Sequence, residues 1–259
     1  GYNLNSLFIG AEGTLGIIAE VTIAAFPIPE TTAVHIIQFG SIEHLVETLF
    51  EFVKIGVAPS FQWASDHYGG KKSPTLILAF EGAKEDVATL EKIAIRICTE
   101  KGAKDLGPEA ANYYWPNRHM FSPAKNRGGK ELDLPVDVTI PRSKVMDAHV
   151  SFKAILSQNG FEDYSFAFMA APLPGEMFIY VDLFLKDRNG DQIERYHKLV
   201  EELAMKSLEL GGTITGSVGV GTRLLPLMKY EHGFALEVMQ RIKKLMDPNN
   251  IMNPGVMLP

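Results

Sequence analysis

The feature that most constrains the fold is an alternation of strand-like and helix-like segments that runs through the chain twice. Residues 32–39 are strand-like. A helix then starts at Ser41, a good N-cap residue, carries Ile42, Leu45, Val46, Leu49, Phe50 and Val53 at helical spacing, and ends at Gly56. Strand-like residues 75–80 precede a helix near 83–101 with Val87, Leu90, Ile93, Ala94 and Ile97 on one face, stopped by Gly102. About 100 residues later the order repeats: a strand at 136–140, a helix near 142–158 ended by Gly160, a strand at 177–186, and a helix near 191–210 ended by Gly211 and Gly212. Two successive halves of this kind predict an α+β fold, an antiparallel sheet with helices packed on one face, duplicated in ferredoxin-like fashion. Ordinary α/β alternation is the other arrangement the spacing allows.

Three stretches lie outside the halves. Residues 7–26 read as strand, turn, strand: Leu7-Phe8-Ile9, a glycine-spaced turn from Gly10 to Gly16, then a second strand closed by Pro27 and Pro29. The chain opens Gly1-Tyr2-Asn3 and enters the apolar segment at once, so its start reads as a cut through a domain, with a processed mature terminus as the alternative. Residues 103–133 join the halves and contain Tyr113-Tyr114-Trp115; connections of that length tend to carry function. The tail holds a glycine-rich run from Gly212 to Gly221, a helix near 231–246 and a Pro- and Asn-rich end.

Composition bounds the function. With 259 residues, 46% of them hydrophobic, the chain can bury the core of one large or two medium domains. A net charge of −6 with both signs interspersed argues against nucleic-acid binding. No apolar run approaches the roughly 18–20 residues that span a bilayer. Cys98 is the sole cysteine, so no internal disulfide forms; among Ile93, Ile95 and Ile97 it reads as a packed thiol. A soluble, cytoplasmic protein is expected from these features.

Two distant segments point to a family. Gly10-Ala11-Glu12-Gly13-Thr14-Leu15-Gly16-Ile17-Ile18 resembles the glycine-rich turn that closes the FAD-binding domain of FAD-linked oxidases. Glycines at this spacing leave backbone N–H groups open to a large planar or phosphorylated ligand. The segment from Ile242 through Asp247-Pro248 and Asn253-Pro254 to Gly255 resembles the C-terminal signature of the same family, where an Asn-Pro turn returns to the flavin. The chain is therefore similar to the C-terminal part of a flavoprotein of the vanillyl-alcohol-oxidase type. Within that type it resembles the D-lactate, glycolate and D-2-hydroxyglutarate dehydrogenase group most.

The resemblance implies FAD as cofactor and a division into residues 1–30 (last hairpin of the FAD-binding domain), 31–205 (substrate or cap domain) and 206–259 (return to the flavin). Flavin contacts would fall on Glu12, Gly13, Gly16, Ile17, Ile18 and Asn253. Trp115-Pro116-Asn117-Arg118 resembles the family's Trp-x-x-Arg, which offers an arginine to a substrate carboxylate through paired hydrogen bonds. Ser122 falls where the family often has a hydroxyl on the substrate, and Arg223 where it carries a basic residue. A small carboxylate substrate follows. The substrate's identity, the electron acceptor and the oligomeric state, for which a homodimer is one option, stay open.

Departures bear on mechanism. The subgroup reads Gly-Glu-His-Gly where this chain has Gly216-Ser217-Val218-Gly219, and valine cannot act as base or electrostatic partner. The subgroup's metal-binding histidines fall on Ala171 and Phe178, neither a ligand, so no metal site is expected. Glu231-His232-Gly233 repeats letters of the missing loop in another place and reads as coincidence. His119, beside Arg118, is the candidate replacement base. A rival reading is a non-catalytic cap domain, or a subunit of an oxidase complex, that kept the fold and lost its chemistry.

Overall fold

A computed structural model describes residues 1–118, 132–170, 176–185 and 190–258. After a short helix α1 (Asn5–Phe8), two similar halves follow. The first runs β1 (Thr31–Gln38), α2 (Ile42–Ile55), β2 (Phe61–Tyr68), β3 (Lys71–Gly82), α3 (Lys84–Glu100). A two-residue strand β4 (Lys104–Asp105) and helix α4 (Pro108–Asn117) lead to the second: β5 (Leu132–Pro141), α5 (Val145–Gln158), β6 (Tyr164–Ala170), β7 (Glu176–Leu185), α6 (Gly190–Glu209). The chain ends in α7 (Met228–His232) and α8 (Phe234–Met246).

All strand pairs are antiparallel, in one seven-stranded sheet of order β4-β1-β3-β2-β6-β7-β5. The two halves are mirrored in this order about the β2–β6 seam, where Ala64 pairs Phe168 and Ser65 pairs Ala167. The antiparallel α+β sheet and the repeated half are thus as the alternation predicts. Each half holds one more strand than expected: β2 and β6, which form the seam itself.

Local chemistry explains the helices. The Ser41 side chain accepts the His44 N–H, and Gly56 closes α2 at φ +78°, where a side chain would be strained. Successive strand residues point to opposite faces. On one face Ile37, Leu76, Leu78, Phe80, Phe166, Phe168, Ile179 and Val181 meet the apolar stripes of α2, α3, α5 and α6 in one continuous core. Helix α4 is the exception to the one-face expectation. It packs Tyr114 on Ile36 and Ile77, the neighbours that point the other way.

The N-terminal stretch corrects the sequence reading. Residues 5–8 are helical, and no strand forms between residues 15 and 30. A strand needs a partner for its backbone N–H and C=O groups, and no described strand pairs with this segment. Its alternating apolar side chains Ile17, Val21, Ile23 and Phe26 are exposed. The final helix, expected unbroken over 231–246, is divided at Gly233, whose φ is +49°.

Two buried titratable groups mark the core. Burial pushes the Cys98 thiol up to about 12, so it is a packed thiol and not a reactive one. His149, on α5, lies edge-on to Phe166 at 4.7 Å, and burial lowers its pKa against the opposing pull of Asp66 and Glu43. The unfolded imidazole takes a proton near pH 6.5 and the folded one only below that. Stability is therefore full above about pH 6.5 and falls as pH drops toward the folded value. His149→Leu should flatten that loss in chemical-denaturation midpoints measured between pH 7 and 5; an unchanged slope would rule His149 out as its source.

Candidate functional site

The sheet face away from the main helices is lined with aromatic and polar side chains instead of aliphatic ones. From β2 come Phe61, Trp63, Ser65 and His67; from β6, Ser165 and Met169; from β7, Asp182 and Phe184. Together with Tyr68, Ile77, Tyr113, Tyr114 and Arg118 they line an open cavity of about 430 Å³. The rings form pairs: Phe61 meets Trp115 edge-on at 5.7 Å, and Trp63 stacks on Tyr180 at 6.1 Å. Tyr180 Oη lies 2.7 Å from Ser217 Oγ, which joins this face to the glycine-rich loop of the tail.

Arg118 caps the C-terminal end of α4. Its guanidinium lies 4.1 Å from the Trp115 ring centre and one Nη donates to the Trp115 carbonyl at 2.7 Å. Stacking of this kind fixes the plane of a guanidinium while its outer edge remains able to take a carboxylate. The Trp-x-x-Arg spacing thus has a structural reason. A helical i to i+3 step puts Arg118 over the tryptophan ring, at the cavity.

His67 is the residue the sequence reading passed over. Its Nδ1 lies 2.7 Å from Asp66 Oδ1, and that carboxylate oxygen also accepts the Phe166 N–H at 2.8 Å. A register shift between Ser65 and His67 breaks the β2–β3 ladder next to Pro74, which has no N–H to give. The outcome is an imidazole oriented by a carboxylate in the cavity wall, an arrangement suited to holding or taking a proton. Adjacent Asp and His in a strand normally face apart, so only the broken register could have signalled it.

The predicted flavin-side residues gather elsewhere, in a knot that ties both ends of the chain to the tail loop. Glu12, at φ +50°, sends its carboxylate to the N–H groups of Val220 and Gly221 at 2.7 and 2.9 Å. Asn253 donates its side-chain N–H to the Glu12 carbonyl at 2.6 Å. Lys243 donates to the Thr14 carbonyl at 2.8 Å and the Met252 carbonyl at 2.7 Å, and forms an ion pair with Asp247. That contact with Lys243 holds the Asp247 carboxyl below its usual range, and Asp247 in turn accepts the Ile251 and Met252 N–H groups. Gly13 and Gly16 sit in this turn, and Ile17 and Ile18 leave it exposed, at 84% and 56%.

The structure does not bring all the expected substrate residues together. Arg118 lines the cavity, whereas Arg223 packs against α6, 5.3 Å from the Tyr196 ring centre, and donates to Tyr196 Oη. His119 and Ser122 lie outside the described residues, as does Ala171. Phe178 is on β7 beside Tyr180. In the loop lacking the histidine, the buried Asp137 carboxylate accepts the N–H groups of Gly216, Ser217 and Val218, and the Val218 side chain is exposed. Glu231 accepts the Ile214 N–H at 2.8 Å, a structural role for the residue before His232. Among the described residues no group of three His, Cys, Asp or Glu is placed to hold a metal, and no helix is long and apolar enough to cross a membrane.

Comparison with known proteins gives a consistent result. The family model described as "FAD linked oxidases, C-terminal domain" matches residues 28–257. The chain is 28% identical to "Probable D-lactate dehydrogenase, mitochondrial" of Danio rerio, covering 100% of this chain and 54% of that protein. It is 27% identical to "Glycolate oxidase subunit GlcD" of Bacillus subtilis, covering 99% and 57%. The chain therefore spans about half the length of the curated relatives it matches. Among solved structures it is similar in fold to alkyldihydroxyacetonephosphate synthase (TM-score 0.67, 18% identity, 98% of this chain and 49% of that one). It is also similar in fold to a 4-ethylphenol oxidase from Gulosibacter chungangensis (TM-score 0.68, 14% identity, 90% and 55%).

The knot makes a testable demand on the tail loop. Gly219 has φ +95°, and a Cβ there would lie 2.8 Å from Glu12 Oε1. Gly221 is also at positive φ, +57°, but a Cβ there meets nothing within 4 Å. Gly219→Ala should cost roughly 1–3 kcal/mol and lower the thermal midpoint by about 2–4 °C per kcal/mol. Gly221→Ala should cost less. Equal losses in calorimetry would show that the Glu12 contact does not constrain the loop.

Proposed function

The chain belongs to the family of C-terminal domains of FAD-linked oxidases, and on that premise we propose that the intact protein oxidises a carboxylate-bearing alcohol, a 2-hydroxy acid, to the 2-oxo acid by hydride transfer to FAD. The observation that carries this reading is Arg118 stacked on Trp115 at an aromatic cavity on the open face of the sheet. The relatives named for D-lactate and glycolate support the substrate class.

The residues of the N-terminal turn fit a flat, largely apolar ring system. Ile17 and Ile18 are exposed, and a Cβ at Gly13 would meet only the Asn253 side chain, at 3.7 Å. Gly13, Gly16, Ile17, Ile18 and Asn253 would hold the flavin edge, while Glu12 fixes the backbone that presents them. FAD, when bound, supplies the two-electron acceptor for the hydride.

The chain's own residues do the positioning. Arg118 binds the carboxylate and fixes the hydroxyl-bearing carbon. His67, oriented by Asp66, takes the hydroxyl proton as the C–H hydride leaves. It replaces the loop histidine that Val218 cannot. The rings of Phe61, Trp63 and Tyr114 keep water from the reacting carbon. The exposed Val218 favours a second reading, a domain that keeps the fold without the chemistry.

The deciding measurement is the visible spectrum of the intact protein, followed anaerobically on addition of D- and L-2-hydroxy acids. A flavin band that one acid bleaches is the expected result. A flavin band that no hydroxy acid bleaches would favour the second reading, and a protein that refuses FAD would overturn the flavoenzyme assignment. Arg118→Met should raise KM roughly 10- to 100-fold, partly restored in Arg118→Lys. His67→Gln should lower kcat about 100-fold or more with little change in KM; an unchanged kcat would exclude His67 as the base.

A further inference from the structure

We infer that the cavity selects a 2-hydroxy acid with an aromatic side chain, an aryl-substituted lactate, over the small aliphatic acids. This rests on the hydroxy-acid reading above and deepens it. Size is the first argument. Cavities that enclose drug-sized ligands run about 300–1,000 Å³, and this one, at about 430 Å³, is several times what a three-carbon acid fills.

The lining is the second argument. Phe61, Trp63, Tyr68, Tyr113, Tyr114 and Phe184 supply six aromatic rings, with few aliphatic side chains between them. Aromatic rings pack best against another ring, edge-on or offset, and the rings already present adopt those geometries with one another: Phe61 against Trp115 at 77° and Trp63 against Tyr180 at 27°. A ligand ring would pack among them in the same way. A small acid would leave Phe61, Trp63 and Tyr68, all partly exposed, in contact with water.

Charge is the third. Among the described residues Arg118 is the Lys or Arg side chain that lines the cavity, and its guanidinium can take a carboxylate. The ligand class is therefore a 2-hydroxy acid with its carboxylate on Arg118 and one aryl group among the rings.

The test uses the intact flavin-loaded protein, with both enantiomers of 3-phenyllactate, lactate and 2-hydroxyglutarate as substrates and 3-phenylpropanoate as an unreactive binding probe. The expected result is a kcat/KM for one enantiomer of 3-phenyllactate at least tenfold above that for either lactate or 2-hydroxyglutarate. Trp63→Leu should narrow the phenyllactate-to-lactate ratio roughly tenfold. Binding of 3-phenylpropanoate, read by quenching of tryptophan fluorescence, should weaken in Trp63→Leu and in Arg118→Met. If lactate bleaches the flavin as efficiently as 3-phenyllactate, the aryl selectivity is overturned while hydroxy-acid oxidation stands. If no hydroxy acid bleaches the flavin, hydroxy-acid oxidation fails. The aryl site is then decided by the probe: Trp63- and Arg118-dependent binding supports it, and no binding overturns it.

Discussion

Everything at the cavity depends on the seam between β2 and β6. Each half of the chain builds a three-stranded antiparallel unit, and the two units become one sheet only because Ala64 and Ser65 pair with Phe168 and Ala167. The seam is short, so side chains reinforce it. Ser65 Oγ donates to the Phe166 carbonyl at 2.9 Å, and Asp66 accepts the Phe166 N–H. Asp66 thus serves two ends at once. It closes the sheet and it orients His67, which ties the integrity of the fold to the chemistry proposed for the cavity.

The two faces of that sheet answer to different physics. The helix face is filled by Leu, Ile, Val and Phe from four amphipathic helices, where burial of apolar area is the dominant stabilising term. The other face cannot be closed in the same way. Only α4 crosses it among the described helices, and Tyr114 anchors that helix on Ile36 and Ile77. The remaining surface holds a concave run of rings and polar groups. Because neighbouring residues of β1 and β3 point to opposite faces, Ile37 and Leu76 serve the core, while Ile36 and Ile77 lie under Tyr114 on the other face, Ile77 also lining the cavity. A substitution on one face reaches the other through a single backbone step.

A second constraint comes from the ends. Lys243 gives its N–H donors to the Thr14 and Met252 carbonyls and to Asp247, so one ammonium joins the N-terminal turn to the C-terminal turn. Glu12 then fixes the tail loop through Val220 and Gly221. Lys243 is satisfied by backbone carbonyls and by the Asp247 carboxylate, and Glu12 by backbone N–H groups, the condition under which a partly buried ion is tolerated. This fastening explains why the glycine turn and the Asp-Pro and Asn-Pro signature occur together although more than two hundred residues separate them.

The sequence by itself determined helices α2, α3, α5 and α6, with the glycines that stop them, and the strands β1, β3, β5 and β7, because amphipathic period and capping chemistry are local properties; α1, α4 and the break at Gly233 it did not. Through the same short-range letters it determined the family. It did not reveal β2 and β6. Their residues alternate between a packed face and a cavity face, both apolar in part, and Asp66-His67 interrupts the pattern further. It also predicted strands in residues 7–26 that do not form, since strand pattern is a capacity and pairing requires a partner in space. Tertiary structure alone decided that His67 would be held by Asp66 in the cavity wall, that Arg223 would lie on Tyr196 instead, and that Glu12 would bind backbone across the fold. These are contacts between distant segments or effects of a broken register, and their energy depends on where the chain returns to itself.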